Sequence, residues 1–336
     1  MQLETNKQSE PFLHKQLKKI VKKEGIYKEY LEKAAKIDSD IYTDERLWSL
    51  LKLIFLNYSS SIYTNIINRY YPERYYYIDL FAGSGVGKVT DTGRNELTLG
   101  SSLLMATMHK FPKMFFCEKN SKSRIALKNR LNALDVKKDS YEIYSDCNDS
   151  IDEIIDKVKG GHSLIFIDPY YTEINWKTME KVLTLKADII FNLQSAEIAR
   201  GFMQQGKITD SAKAFFKDTR FLAQMFQDKT VFDMRKSDMI LREYCSAISQ
   251  TRREIDSKKK FPKETEILPV KIKGINAYYY DLLFITRLTR GGSPWLDPIR
   301  RAGSELDNIK PALVNQILEI LAGKQKRLSS DEFFST

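Results

Sequence analysis

Residues 75–88 read YYYIDLFAGSGVGK, and no other stretch constrains the fold as tightly. A β-prone run (75–78) ends in an acid, Asp79, and leads at once into Phe81, Ala82, Gly83, Ser84 and Gly85. That order predicts a strand entering a tight loop. Glycine is needed where φ is positive or where another group must press against the main chain. An acid in front of such a loop repels phosphate and suits a cation or a hydroxyl.

The chain after this stretch alternates. Apolar runs at 113–117, 141–144, 163–167 and 188–193 are separated by segments of helical length at 101–110, 121–131, 149–159 and 176–183. Five short strands spaced by helices predict a parallel sheet with helices on both faces. Before it, Leu47, Leu51, Ile54, Tyr58, Ile62 and Ile66 recur at helical spacing, which predicts a helix over 44–70 closed by Pro72. Residues 86–99 read as a loop, 196–250 as mostly helical and 252–265 as a charged loop. Runs at 266–272 and 277–286 read as a hairpin on the sheet edge, and 308–321 as a last helix. The expected organisation is an N-terminal helical extension (1–72), a Rossmann-like core (73–195), a helical insert with a charged loop (196–265), and a C-terminal hairpin and helices completing the core (266–336).

Hydrophobic residues make up 42% of the 336, enough for a sizeable core. No apolar run approaches the roughly 18 residues of a membrane span, and the polar N-terminus has no signal-peptide core, so the expectation is a soluble, cytoplasmic protein with no membrane partner. Cys117, Cys147 and Cys245 match no zinc spacing, and His14, His109 and His162 are the only histidines. No metal is expected, and the catalytic vocabulary is Asp, Glu, Asn, Lys, Tyr and backbone amides. Net charge is +10, concentrated in residues 1–36 and 250–275 and at Arg287, Arg290, Arg300 and Arg301. Such an excess suits a polyanion, DNA or RNA first, and equally describes solvated lysine faces.

Strand ends supply the chemistry, because an open parallel sheet binds ligands beyond its carboxyl edge. Glu118 follows the second strand, where a carboxylate can accept from both ribose hydroxyls; it also suits a surface acid. Asp146 follows the third and suits either an adenine amino group or the N-cap of the next helix. The fourth ends in Asp168, Pro169, Tyr170 and Tyr171. There the carboxylate and a carbonyl can accept both hydrogens of an amine, and an aromatic can stack on a base. The same motif also reads as a turn with packing aromatics. Asn192 and Gln194 end the fifth strand, orienting substrate or capping the next helix. Acids at four successive strand ends favour a cationic nucleoside, S-adenosylmethionine. The rival reading is a relaxed phosphate loop through Gly87 and Lys88, which lacks the following Ser or Thr because residue 89 is Val.

The blocks YYIDLFAGSG, Gly100-Ser101-Ser102-Leu103, FFCEKN, Asp146-Cys147-Asn148, FIDPYY, ADIIFNL and AYYYDLLFITRLTRGGSPWLDPI, in order, resemble the three-Cys-motif partner proteins over about residues 40–302. That resemblance implies a class I methyltransferase-like fold. It further implies S-adenosylmethionine held by Asp79, Phe81, Gly83, Gly85 and Glu118 with Asp146 at the adenine, and a partner protein carrying a three-cysteine motif. Tyr171 stands where the family often has glycine, and Ser84 where proline is common. Tyr171 moves the motif towards that of amino-group methyltransferases, with Asp168 polarising the amine and Tyr171 holding it. The expected activity is methyl transfer to an amine, a nucleobase being the first candidate. The alternatives are a binding partner without turnover and a nucleotide hydrolase using Lys88.

Overall fold

The computed structural model describes residues 24–90, 95–205, 208–227, 233–258, 263–273, 279–289 and 293–308. In chain order the elements are α1 (Glu24–Ala35), β1 (Thr43–Glu45), α2 (Ser49–Tyr70), β2 (Tyr75–Asp79), β3 (Val86–Val89), β4 (Glu96–Leu99), α3 (Ser101–Met108), β5 (Lys113–Cys117) and α4 (Ser121–Ala133). After a 3-10 turn come β6 (Tyr141–Tyr144), α5 (Cys147–Val158), β7 (His162–Ile167), α6 (Trp176–Thr184), β8 (Ala187–Leu193) and α7 (Ser195–Gln205). Then follow α8 (Asp210–Phe215), α9 (Arg220–Gln227), α10 (Asp233–Ser257), β9 (Thr265–Lys273), β10 (Tyr279–Arg287) and α11 (Leu296–Asp307). Residues 1–23 of the N-terminal basic stretch and all but the first residue of the helix expected at 308–321 lie outside the described residues, as do residues 274–278.

Seven strands form one sheet in the order β6-β5-β2-β7-β8-β10-β9. The first five are parallel, and β10 runs antiparallel to both β8 and β9. The doubly wound α/β class and the edge hairpin are as the sequence predicts. Alternation along each strand builds two cores. Leu164 and Phe166 face the side covered by α2, α3, α4 and α11, while Ile165 and Ile167 face α5, α6, α7 and α10. Because β2, β5, β6, β7 and β8 are parallel, their carboxyl ends share one edge, which gathers the strand-end residues.

Two departures matter for the site. Within residues 86–99, expected as a loop, β3 and β4 pair antiparallel, and the helix expected from residue 44 starts at Ser49. Thr43–Glu45 instead pairs with Val86–Val89 in a second, three-stranded sheet, with Thr43 opposite Gly87 and Glu45 opposite Val89. Tertiary pairing overrides helix preference here. The charged segment 252–265 opens as helix through Ser257, because Arg252 and Asp256 are buried and Asp256 accepts from Arg287 Nε at 3.0 Å.

The strap 34–45 is held by one side chain. Arg130 of α4 is 1% exposed and donates to the carbonyls of Ala34, Ile37, Asp38, Ile41 and Ser84. In Arg130→Met the Ala34 and Asp38 carbonyls keep the Ile37 and Ile41 amides, whereas those of Ile37, Ile41 and Ser84 lose this donor, and each buried unsatisfied group costs about 1 to 3 kcal/mol. Urea unfolding of this variant is expected to show a stability loss of at least about 3 kcal/mol, with first proteolytic cuts in the strap. An unchanged midpoint would remove the strap from the account.

Candidate active site

A cavity of about 250 Å³ opens at the carboxyl edge of the sheet. One wall is the glycine loop (Phe81, Ala82, Gly83, Gly85) with Gly100 and Ser101. A second is Asp168, Pro169, Tyr170 and Tyr171, with Gln194 and Glu197 behind them. The third comes from the N-terminal segment: Thr43, Asp44, Glu45, Arg46, Ser49, Lys52 and Leu53.

The loop glycines serve the protein's own packing. Gly83 (φ 61°) and Gly85 (φ 83°) adopt the left-handed backbone. A Cβ on Gly83 would lie 2.7 Å from Thr43 Oγ1, and one on Gly85 2.7 Å from Leu103 Cγ. The loop amides are also committed. Phe81 N donates to Asp79 Oδ1 (3.2 Å), Ala82 N to Cys117 O (2.8 Å) and Ser84 N to Thr43 Oγ1 (3.2 Å). Gly83 N bonds the Glu118 carboxylate. Lys88 lies in β3 with its ammonium 4.5 Å over the Tyr42 ring, outside the cavity lining.

Asp79 lies beneath the loop, fully buried, and accepts from Tyr77 Oη at 3.0 Å as well as from Phe81 N. Burial pushes its carboxyl up to about 7, against the opposing pull of hydrogen bonds from Ser101, Phe81 N and Tyr77. Glu118 is half-buried against the loop and accepts from Asn120 N at 2.6 Å. Burial raises its carboxyl, and the Asn120 and Gly83 amides pull it down. Asp146 takes the capping alternative: it accepts from Asn148 N at 2.8 Å at the start of α5, pairs with Lys119 at 3.2 Å, and does not line the cavity. Asn148 in turn clips the segment after Tyr171, donating to Glu173 O and accepting from Asn175 N and Thr178 Oγ1.

The Asp168 turn is braced from three directions. Lys52 Nζ sits 2.6 Å from Asp168 Oδ2 and 3.4 Å from Glu45 Oε2. Burial would lower the Lys52 ammonium, but the charges of Asp168 and Glu45 outweigh it and hold the group above its ordinary range. Asn192 Nδ2 donates to Asp168 Oδ1 at 2.6 Å, and Gln194 Nε2 to the Pro169 carbonyl at 3.0 Å. The Asn192 and Gln194 side chains thus brace the turn, while the Gln194 carbonyl accepts from Ile198 N at 2.9 Å at the start of α7. The Tyr170 ring is 79% exposed at the cavity mouth, whereas Tyr171 is half-buried against the second core. Tyr171, the residue expected to hold the target, has φ 61°, a conformation costing a bulky residue about 1 to 3 kcal/mol.

Sequence reasoning missed Lys52, Glu45 and Thr43. Lys52 carried one signal, a lone lysine inside the apolar run 50–56. The basic excess is also less free than it reads. Arg252 is fully buried, Arg287 pairs with Asp256 and donates to Leu183 O, and Arg300 pairs with Glu266 and Asp297. Among the described residues no helix is long and apolar enough to cross a membrane.

No family model matches the sequence, and no curated protein matches it. Among solved structures the chain is similar to LPL1258 from Legionella pneumophila, with a TM-score of 0.41 and 12% identity over 78% of this chain and 93% of that one. It is similar to the Pyrococcus horikoshii protein PH0793 at a TM-score of 0.34 and 14% identity, covering 68% of this chain but only 63% of that one. It is also similar to the O-methyltransferase TomG from Streptomyces achromogenes, solved with SAM, at a TM-score of 0.35 and 13% identity over 68% of this chain and 79% of that one. The functional reading rests on the residues of this site.

Two outcomes follow from the buried charges. Asp79 titrates higher folded than unfolded, so its contribution to stability is full below about pH 4 and is lost as pH rises through about 7. Thermal unfolding of the ligand-free protein and of Asp79→Asn should therefore diverge between pH 5 and pH 8, the variant gaining relative stability at the higher pH. A constant difference would mean the carboxyl is not perturbed. Lys52→Met strands two buried carboxylates and should cost about 3 to 5 kcal/mol in urea unfolding.

Proposed function

We propose that this chain is an S-adenosylmethionine-dependent methyltransferase acting on an amino group, a nucleic-acid base being the first candidate. The observation that carries this reading is the commitment of the loop amides. Their donors are spent on Asp79, Cys117 O, Glu118 and Thr43, so they have little to offer a phosphate. The cavity in front of them instead carries Asp44, Glu45, Asp168 and Glu197 against Arg46 and Lys52, an acidic surround that favours a cation. The committed amides and the placement of Lys88 count against a nucleotide hydrolase.

The loop residues fit the cofactor. Phe81, Gly83 and Gly85 border the cavity; Asp79 and Glu118 lie outside its lining, and Glu118, bonded to the loop, keeps acceptor capacity for a ribose hydroxyl. Asp146, which caps α5 and pairs with Lys119, lies outside the cavity lining, so the adenine role rests on its position alone. Bound there, S-adenosylmethionine would supply a methyl group made electrophilic by its positive sulfur. Asp168 Oδ2 and the Pro169 carbonyl each have a lone pair left beside their present donors, so together they can accept hydrogen bonds from an incoming amine, the carboxylate being the one able to take the proton released on methylation.

The finer assignment is to the three-Cys-motif partner proteins, with a cytoplasmic location, a three-cysteine-motif protein as partner, and DNA or RNA met through basic surface. A second reading, a methyltransferase-like binding partner without turnover, is favoured by one observation: the Lys52 ammonium already occupies Asp168 Oδ2 at 2.6 Å.

Calorimetry is expected to show binding of S-adenosylmethionine and none of ATP, with affinity falling at least about tenfold in Glu118→Gln. Isotope-labelled methyl transfer to DNA, RNA and cell extract separates turnover from binding alone. Absence of any S-adenosylmethionine binding would sink the methyltransferase reading, and binding without transfer would favour the second.

A further inference from the structure

Tyr171 is unlike the other described non-glycine residues with positive φ. Asp38, Glu73, Asn95 and Asp135 are acids or an amide, whereas Tyr171 is bulky and aromatic. Its ring runs towards α7. A Cβ on Gly201 would sit 1.9 Å from Tyr171 Oη and 2.6 Å from Cζ, so only glycine leaves the ring its place. A glycine inside a helix weakens it, and here the ring gives the reason for one.

The residues beside Tyr171 are pinned as well. Asp168 is held by Lys52 and Asn192, the Pro169 carbonyl by Gln194 and the Tyr170 amide by Glu173 Oε2. The Thr172 hydroxyl meets Ser211, and Asn175 N donates to Asn148. What this bracing leaves exposed at the cavity mouth is the Tyr170 ring.

We propose that Tyr171 is a positioning residue, a ring wedged in the Gly201 notch that holds the turn so that Asp168 and Pro169 border the cavity and Tyr170 receives a flat, ring-bearing amine. The backbone strain is kept because the wedge is needed, the usual relation between strained residues and function. The holding role passes from Tyr171 to Tyr170. The acceptor half of this proposal rests on the methyltransferase reading above; the wedge does not.

Tyr171→Gly relieves the φ and removes the ring. Hydrogen exchange across residues 168–175 should then speed up by about tenfold or more. Gly201→Ala, which displaces the ring, should speed the same exchange. Unaltered exchange in both Tyr171→Gly and Gly201→Ala would overturn the wedge, with or without measurable turnover. With labelled methyl transfer to single-stranded DNA and RNA, Tyr171→Gly should lower kcat at least about tenfold, and Tyr170→Ala should raise KM for the acceptor with kcat little changed. Full activity in Tyr171→Gly, or an unchanged KM in Tyr170→Ala, would overturn the assignment of roles. If the unaltered protein binds the cofactor yet transfers nothing, the methyltransferase reading and the acceptor role of Tyr170 fall together, while exchange still decides the wedge.

Discussion

A single guanidinium, that of Arg130, lets the chain ahead of the sheet become part of the site. Residues 36–42 have neither a helix nor a strand ladder, and apart from the turn bond of Ile41 N to Asp38 O their half-buried carbonyls need donors from elsewhere. Arg130 supplies the donors for Ala34, Ile37, Asp38 and Ile41, and with the same group fixes Ser84 in the glycine loop. The strap and the loop are thereby held to one side chain. From that constraint follow the β1–β3 pairing, the seat of Thr43 against Gly83, and the arrival of Glu45 and Lys52 at the end of β7. The N-terminal segment reads as an extension in sequence and serves as a cavity wall in space.

Lys52 then sets the charge of the cavity. A buried ammonium alone, or either carboxylate alone, would be costly to desolvate; together Lys52, Asp168 and Glu45 leave one net negative charge with short contacts on both sides. The same arrangement orients Asp168, whose second oxygen is fixed by Asn192. The glycine loop meets this acidic wall with most of its amides already used. A loop free to cradle phosphate needs the opposite arrangement, with open amides and a neighbouring cation.

The sheet was legible because its signals are local. Apolar runs of strand length, each closed by an acid or an amide, mark β2, β5, β6, β7 and β8, and alternation within them already divides the two cores. What escaped is set by distant partners. β1, β3 and β4 are too short and polar to announce themselves, and β1 exists only because residues 43–45 meet 86–89. Lys52 and Asp168 are far apart in sequence and touch in space. Arg252 and Arg287 read as surface charge, yet Arg252 is buried and Arg287, half-buried, pairs with the buried Asp256. Asp146 shows the limit of position as evidence: a strand-end acid that begins a helix has a cap to make, and it makes it.

Asp79 is the place where burial turns a sequence motif into a physical constraint. Its position before the loop suggests a fixed negative charge, yet with no exposed surface the carboxyl holds its proton to about pH 7. The hydrogen bonds from Tyr77 and Phe81 N are too few to offset the lost hydration fully. A cation brought to the neighbouring cavity would favour the ionised form, so ligand binding and proton release are linked below neutrality. The strand-end acid is thus a charge that the fold keeps latent and that a cationic ligand draws out. Phosphate at the same loop would push the proton equilibrium the other way, so the sign of this linkage separates the two kinds of ligand.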